Sequence, residues 1–435
     1  MNPAERKVYL PLEDISTCGA CGKNGSARDL KLCGSCKEIA YCGSECQTAH
    51  WEQHKREHPC GKQMTEYIEL SSFYPIIALL VDILRIDAPG LHIAHQHELL
   101  QSPMVVELPD KRIVRLCVLG DKFDRIEDGG PESEKWWRDA PSADVRRILW
   151  RRIQSEDHLL GLHTFSVALA LVAALYTTTA DRARGTKRVR LQYGSSPVAD
   201  FGLVRGAVDV KGRDRFAYLV DGELRFGQDP ANHFWLWFRT VRGEETVLDL
   251  GMVHFNLCVF VSGLPYLRGL DPALAFPHAP SLFMGRDVAR MAAAMHAPHA
   301  RLSVLRDAAL QRAVCRPGEP ESARAVHGVL TGFGARATCA QAEAMGMQRE
   351  GPAEAIAAQL ARRAARMLED VLAREAWKTW PAEVQLGIAP DEETDPSTLS
   401  SADCDRIRKL GKAFKAGKIS RAEYDRKVRR IAHPT

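Results

Sequence analysis

Residues 18–58 read CGACGKNGSARDLKLCGSCKEIAYCGSECQTAHWEQHKREH, and the spacing of cysteine and histidine in this stretch decides the fold of the N-terminal part. Cys18-x2-Cys21 and Cys33-x2-Cys36 are short loops that each offer two thiolates to one tetrahedral ion. Cys42-x3-Cys46 and His54-x3-His58 change the register. An i, i+4 pair lies one turn apart on a single helix face, so it too can share a metal. Four pairs make eight donors, which fill two closed zinc sites. Cys60 competes with His58 for the eighth position, and His50 reads as an exposed helix residue.

A segment of this length with few large apolar side chains cannot build a core of its own. Metal must supply its folding free energy, on the order of 10 kcal/mol per structural site. Sites with all four positions taken by protein are structural, because catalytic zinc keeps one position open for water. The sequence therefore predicts two zinc ions, and loss of order confined mainly to residues 18–60 when they are chelated. Seven of the twelve cysteines fall between residues 18 and 60. That crowding, interleaved with histidine, points to metal in a reducing compartment rather than to a disulfide framework.

The runs CGAC, LCGSC and YCGSECQTAHWEQHKREH resemble the MYND-type zinc finger, a treble-clef-like two-zinc module. Cys18, Cys21, Cys33, Cys36, Cys42, Cys46 and His54 match its pattern, as do Tyr41, Gln47 and Trp51. The family closes with a cysteine where this chain has His58, an imidazole that is chemically competent for zinc. The resemblance implies interleaved sites, with Cys18, Cys21, Cys42 and Cys46 on one ion and Cys33, Cys36, His54 and His58 on the other. It also implies an interaction or scaffold role, in which proline-containing segments of partner proteins are bound rather than nucleic acid. Gln47 and Trp51 then stand at the family's peptide-groove positions, although Trp51 is equally read as a cover for the zinc sites. Gly34 occupies a groove position where relatives often carry serine.

At 435 residues the chain exceeds one ordinary domain, and 45% hydrophobic and 26% charged residues describe a globular protein. The expected organisation is a finger at 15–62, an α+β body at 63–386, a linker at 387–401 and a basic helical hairpin at 402–435. Residues 401–435 hold 11 Lys or Arg and 4 acids, a surplus of +7, which leaves −3 for the rest of a chain whose total is +4. No charged-then-apolar signal segment opens the sequence, so the expected address is cytoplasmic or nuclear. Leu159 to Thr177 approaches bilayer length, but His163, Thr164 and Ser166 make it a buried helix and no membrane span is expected.

Within the body, residues 64–86 are expected to be helical, 103–120 stranded, 142–177 helical and 187–262 strand-rich, and from Arg286 the pattern is helical, with an Ala-rich helix near 352–378. Asp221-Gly222 suits a tight hairpin turn. His92, His95 and His97 read as surface histidines. His233-Phe-Trp and the later Asp249 look like the His and Asp strands of transglutaminase-like enzymes, but the helix expected to carry the nucleophile, near Gly161, contains no cysteine. A degenerate site around His233 and Asp249 is the alternative to the interaction role. MYND fingers also occur in SET-type methyltransferases, whose Asn-His-Ser-Cys run is absent here. The tail KLGKAFKAGKISRAEYDRKVRRI looks like a SHOCT-type hairpin, with Ser420 and Glu423 forming a capping box.

Overall fold

The computed structural model describes residues 6–11, 16–26, 29–57, 60, 64–86, 92–178, 187–266, 278–317, 319–335 and 353–388, with short stretches between 406 and 427. A finger opens the chain. Its hairpin pairs β1 (Lys31–Leu32) with β2 (Ala40–Tyr41), and α1 (Ser44–Glu57) follows.

The body begins with β3 (Thr65–Glu69), which runs directly into α2 (Leu70–Ile86). The expectation of helix throughout 64–86 is corrected at its first turn: Thr65–Glu69 pair in parallel with β7 (Arg188–Tyr193), and the apolar helical stripe starts only at Leu70. Pro75 sits inside α2 and the helix runs on past it. A short α3 (Ile93–Gln96) precedes β4 (His97–Leu99), β5 (Met104–Glu107) and β6 (Ile113–Lys122). Then come α4 (Ala143–Gln154) and α5 (Asp157–Leu171), the latter extended by a π-helical turn at Val172–Tyr176.

After β7 the chain forms β8 (Ser196–Val208), β9 (Phe216–Val220), β10 (Glu223–Phe226), β11 (His233–Thr240), β12 (Glu245–Asp249), β13 (Val259–Ser262), β14 (His278–Pro280) and β15 (Leu282–Met284). Asp221 and Gly222, at φ 52° and 78°, make the tight turn between β9 and β10 as the sequence predicts. Beyond α6 (Ala289–Met295) lies a strand the sequence hid, β16 (His296–Ser303), in a region expected to be helical. It pairs antiparallel with β8, and its register shifts between Pro298 and Ala300, where proline cannot donate to the ladder. Pairing with a long buried neighbour overrode local helix propensity. The chain continues through α7 (Ala308–Cys315), α8 (Pro320–Leu330), α9 (Ala353–Ala373) and β17 (Leu386–Ile388).

The main sheet has the order β15-β12-β11-β8-β7-β3, with β16 also on β8. β8 is its spine, buried along most of its length. At Gly206 a Cβ would meet the Ala297 carbonyl at 2.2 Å and the Trp235 ring at 2.6 Å, so only glycine lets β16 and β11 approach there. The main core packs α2, α5, α7, α8 and α9 against this sheet. The Leu159–Thr177 stretch lies within it, with its described residues from Phe165 to Tyr176 buried, and no helix among the described residues is long and apolar enough to cross a membrane. A smaller sheet orders β10-β9-β6, with β4 and β5 both on the far side of β6. One of its faces packs on Trp136, Trp137 and Trp150. The parallel pairs β3–β7 and β6–β9 make the body mixed α/β.

In the basic tail, the Glu423 N–H donates to Ser420 Oγ at 3.2 Å, and the Phe414 and Tyr424 rings stack at 5.3 Å. Residues 409–414 are helical; the linker beyond Ile388 and the remaining parts of the expected hairpin lie outside the described residues.

Candidate metal centre

Cys18 and Cys21 flank a turn closed by the Gly22 N–H on the Cys18 carbonyl at 3.0 Å. Gly22 takes φ +68°, a conformation glycine adopts without penalty. Cys42 stands just before α1 and Cys46 in its first turn, and all four sulfurs lie within 4.8 Å of one another. Cys21 Sγ and Cys42 Sγ are 3.6 Å apart. Burial alone would push the Cys18 thiol up, but the N–H groups of Cys21, Ala20 and Cys42 bring it down to about 6. This favours the thiolate that zinc requires.

The second cluster joins Cys33, Cys36, His54 and Cys60, again within 4.8 Å. Cys33 Sγ lies 3.6 Å from Cys60 Sγ, and Cys36 Sγ lies 3.4 Å from His54 Nε2. Here the expectation changes. The fourth donor in the cluster is Cys60, where His58 was expected from spacing; His58 itself lies outside the described residues. With three thiolates and a neutral imidazole around a divalent ion, this site carries a formal charge of −1 rather than zero.

Soft sulfur and imidazole donors in closed sets of four fit structural zinc, and the finger holds sites for two zinc ions. The two sites differ in their surroundings. Cys21 is exposed and Cys42 and Cys46 are half-buried, whereas Cys33, Cys36, His54 and Cys60 are at most 1% exposed.

The body supplies the cover. Ala199 and Val241 pack into one apolar cluster with Leu30, Tyr41, Cys18 of the first site and the cysteines of the second. Tyr67 donates its hydroxyl to the Cys36 carbonyl, and Arg188 reaches Glu38 at 3.0 Å in a buried ion pair. Lys37, next to Cys36, takes the left-handed φ of 54° that Gly22 takes in the first turn. A non-glycine residue there costs about 1–2 kcal/mol. Its ammonium donates to Gln192 Oε1 at 2.9 Å and sits 4.7 Å from the centre of the Tyr67 ring, so the body grips the strained residue.

Gln47 and Trp51 lie one turn apart on α1, both half-buried. The Gln47 amide faces Cys33 Sγ at 3.7 Å, and the Trp51 indole lies 6.1 Å from the ring of His54, with Lys55 Nζ 5.3 Å from its centre. Both side chains therefore touch the second site while keeping part of their surface open. His50 is half-buried rather than exposed, with Nδ1 3.2 Å from the Tyr41 hydroxyl. Gly34 is exposed.

In the body, His233 Nε2 and Asp249 Oδ2 do meet, at 2.8 Å. His296 Nε2 joins the same oxygen at 2.7 Å, and the N–H groups of Gly251 and Met252 donate to Oδ1 at 2.9 and 3.2 Å. All three side chains are buried, and the imidazoles hold the Asp249 carboxyl well below the usual range against the upward push of burial. His296 was missed because its strand was read as helix. A second buried set centres on Glu156, where Tyr218 donates at 2.7 Å and His92 Nε2 lies at 3.2 Å. His92, His95 and His97, expected on the surface, are all buried. The short α3 carries them inward, with His92 capping it and His95 stacked on Trp150.

Residues 18–58 match the family model of the MYND finger, ending two residues before Cys60. MYND fingers are generally protein-interaction modules. No solved structure matches the chain. Neither the transglutaminase-like reading of the body nor the SHOCT-like reading of the tail gains support from these comparisons. The N-terminal segment, about a tenth of the chain, carries the signature of a two-zinc MYND finger, set on a larger mixed α/β body.

Proposed function

We propose that this protein is a zinc-dependent interaction protein whose finger binds proline-containing segments of partner proteins along the Gln47–Trp51 face of α1. The carrying observation is the placement of these two side chains against the second zinc site, each with part of its surface left open. A proline ring can stack on the indole, and the peptide backbone can bond to the oxygen of the Gln47 amide. Zinc then acts on binding indirectly, by fixing the helix that presents both groups. In this reading the eighth ligand is Cys60, and His58 is not required.

The His233–Asp249–His296 set is read as a structural tie between β11, β12 and β16 rather than as a degenerate active site. Four donors already serve the Asp249 carboxylate, and the group is sealed from solvent.

Fluorescence anisotropy with labelled proline-containing peptides, paired with elemental analysis, tests the proposal. Trp51→Ala should abolish binding and leave zinc content unchanged. Retained binding would place the partner elsewhere, and simultaneous loss of zinc would make Trp51 a cover for the metal.

A further inference from the structure

The helices on one side of the main sheet do not close completely on one another. Between α5, α7, α8 and α9 lies a cavity of about 250 Å³ that opens to solvent on one side. Its wall is apolar: Leu169 and Ala173 come from α5 and its π-helical turn, Val314 from α7, Val326 from α8, and Ala361 and Ala365 from α9. The space exists because α9 turns small side chains toward it, whereas its neighbouring stripe of Ala364, Leu368 and Val371 is buried in the main core. A π-helical turn such as the one that carries Ala173 recurs at functional sites. Among the described residues of the wall, Ser322 is the one uncharged polar side chain, and its hydroxyl already donates to the Arg316 carbonyl at 2.8 Å.

The mouth is charged. Arg362, Arg366 and Glu369 follow one another at i, i+4 and i+7 along one edge of α9, and Arg6 meets them from the N-terminal segment. Arg6 and Glu369 pair at 3.7 Å, which leaves the guanidinium groups of Arg362 and Arg366 as the surplus. Arg362 donates one N–H to the Pro317 carbonyl at 2.7 Å, and Arg366 has no acid partner among the described residues.

We propose that this cavity binds a medium-chain carboxylate, with its hydrocarbon between the helices and its head on Arg362 and Arg366. The wall selects for hydrocarbon, since a peptide or a sugar would leave its polar groups unbonded there. The volume selects for a single short chain: apolar cavities of about 150 Å³ already take small hydrocarbons, and drug-sized ligands need about 300 Å³ or more. The arginines set the sign, because a carboxylate accepts the guanidinium fork and an ammonium head is repelled. The cavity shares no residue with either zinc site or with the Gln47–Trp51 face.

Isothermal titration calorimetry of the zinc-loaded full chain at two temperatures, with octanoate, hexanoate and octanol as ligands, tests it. Octanoate should bind at one per chain. Hexanoate, shorter by two methylenes, should bind about fifteenfold more weakly, at about fourfold per methylene. Octanol, which lacks the charge, should bind roughly tenfold more weakly. Ala361→Leu fills the cavity and should abolish binding of both octanoate and octanol. Arg366→Gln, at an exposed position, should weaken octanoate roughly tenfold and leave octanol unchanged, with zinc content and thermal transition as in the wild type. A wild-type chain that binds no octanoate overturns the proposal. Equal affinity for octanoate and octanol does so too, as does octanoate binding that Arg366→Gln leaves untouched.

Discussion

The two zinc sites are built from the same kinds of donor yet do different work. The first, Cys18, Cys21, Cys42 and Cys46, is a local staple: its ligands span one loop and the start of α1, and one of them is open to solvent. The second, Cys33, Cys36, His54 and Cys60, is sealed between the finger and the edge of the main sheet formed by β3 and β7. Tyr67 and Arg188 of the body reach the residues around it, Cys36 and Glu38. Zinc in the first site folds the finger, whereas zinc in the second also joins the finger to the body. The difference arises because Cys60 lies only five residues before β3, so the chain must pass the metal to enter the sheet.

The largest effect expected from this contrast comes from the ligands. Cys60→Ala should drop zinc from two ions to one per chain and lower the melting transition of the body, since a structural site supplies on the order of 10 kcal/mol. Cys21→Ala should also cost one zinc but leave the body transition in place, and His58→Ala should keep both ions. Elemental analysis with thermal melts reads all three, and equal effects of Cys60→Ala and Cys21→Ala on the body would erase the contrast.

A smaller effect is expected at the ion pair that crosses the joint. Removing one partner of a buried pair leaves the other charge uncompensated, which costs about 3–5 kcal/mol. Arg188→Met should therefore destabilise the chain by that order in urea while zinc content stays at two. The smallest effect belongs to Tyr67→Phe, which removes one hydrogen bond to the Cys36 carbonyl. A net cost of about 1 kcal/mol is expected, because the ring that meets the Lys37 ammonium remains. Urea titration measures it, and no change would show that the hydroxyl adds nothing to the joint.

How much of this was legible depended on whether the signal was local. Seven zinc ligands follow from spacing because each pair sits within one loop or one helical turn. For the eighth, the sequence offered His58 and Cys60; Cys60 joins the second cluster, and His58 lies outside the described residues. The β9–β10 hairpin was legible through Asp221-Gly222, whose turn demands those residues. β3 and β16 were not: each is short or rich in helix-compatible residues, and each exists because a distant strand, β7 or β8, offers a partner. The same non-local cause hid His296 from the Asp249 set and carried His92, His95 and His97 inside. The grip of the body on Lys37 and Glu38 left no trace in the finger sequence, so chelation was expected to disturb mainly residues 18–60.

Hydrogen exchange measured by mass spectrometry on the zinc-loaded and chelated chain tests the joint most directly. If the second site ties finger to body, chelation should strip protection from residues 33–57 and also from Thr65–Glu69 and Arg188–Tyr193, the paired strands β3 and β7. Exchange that rises only within residues 18–60 and leaves both strands protected would contradict this account and make the finger an independent domain.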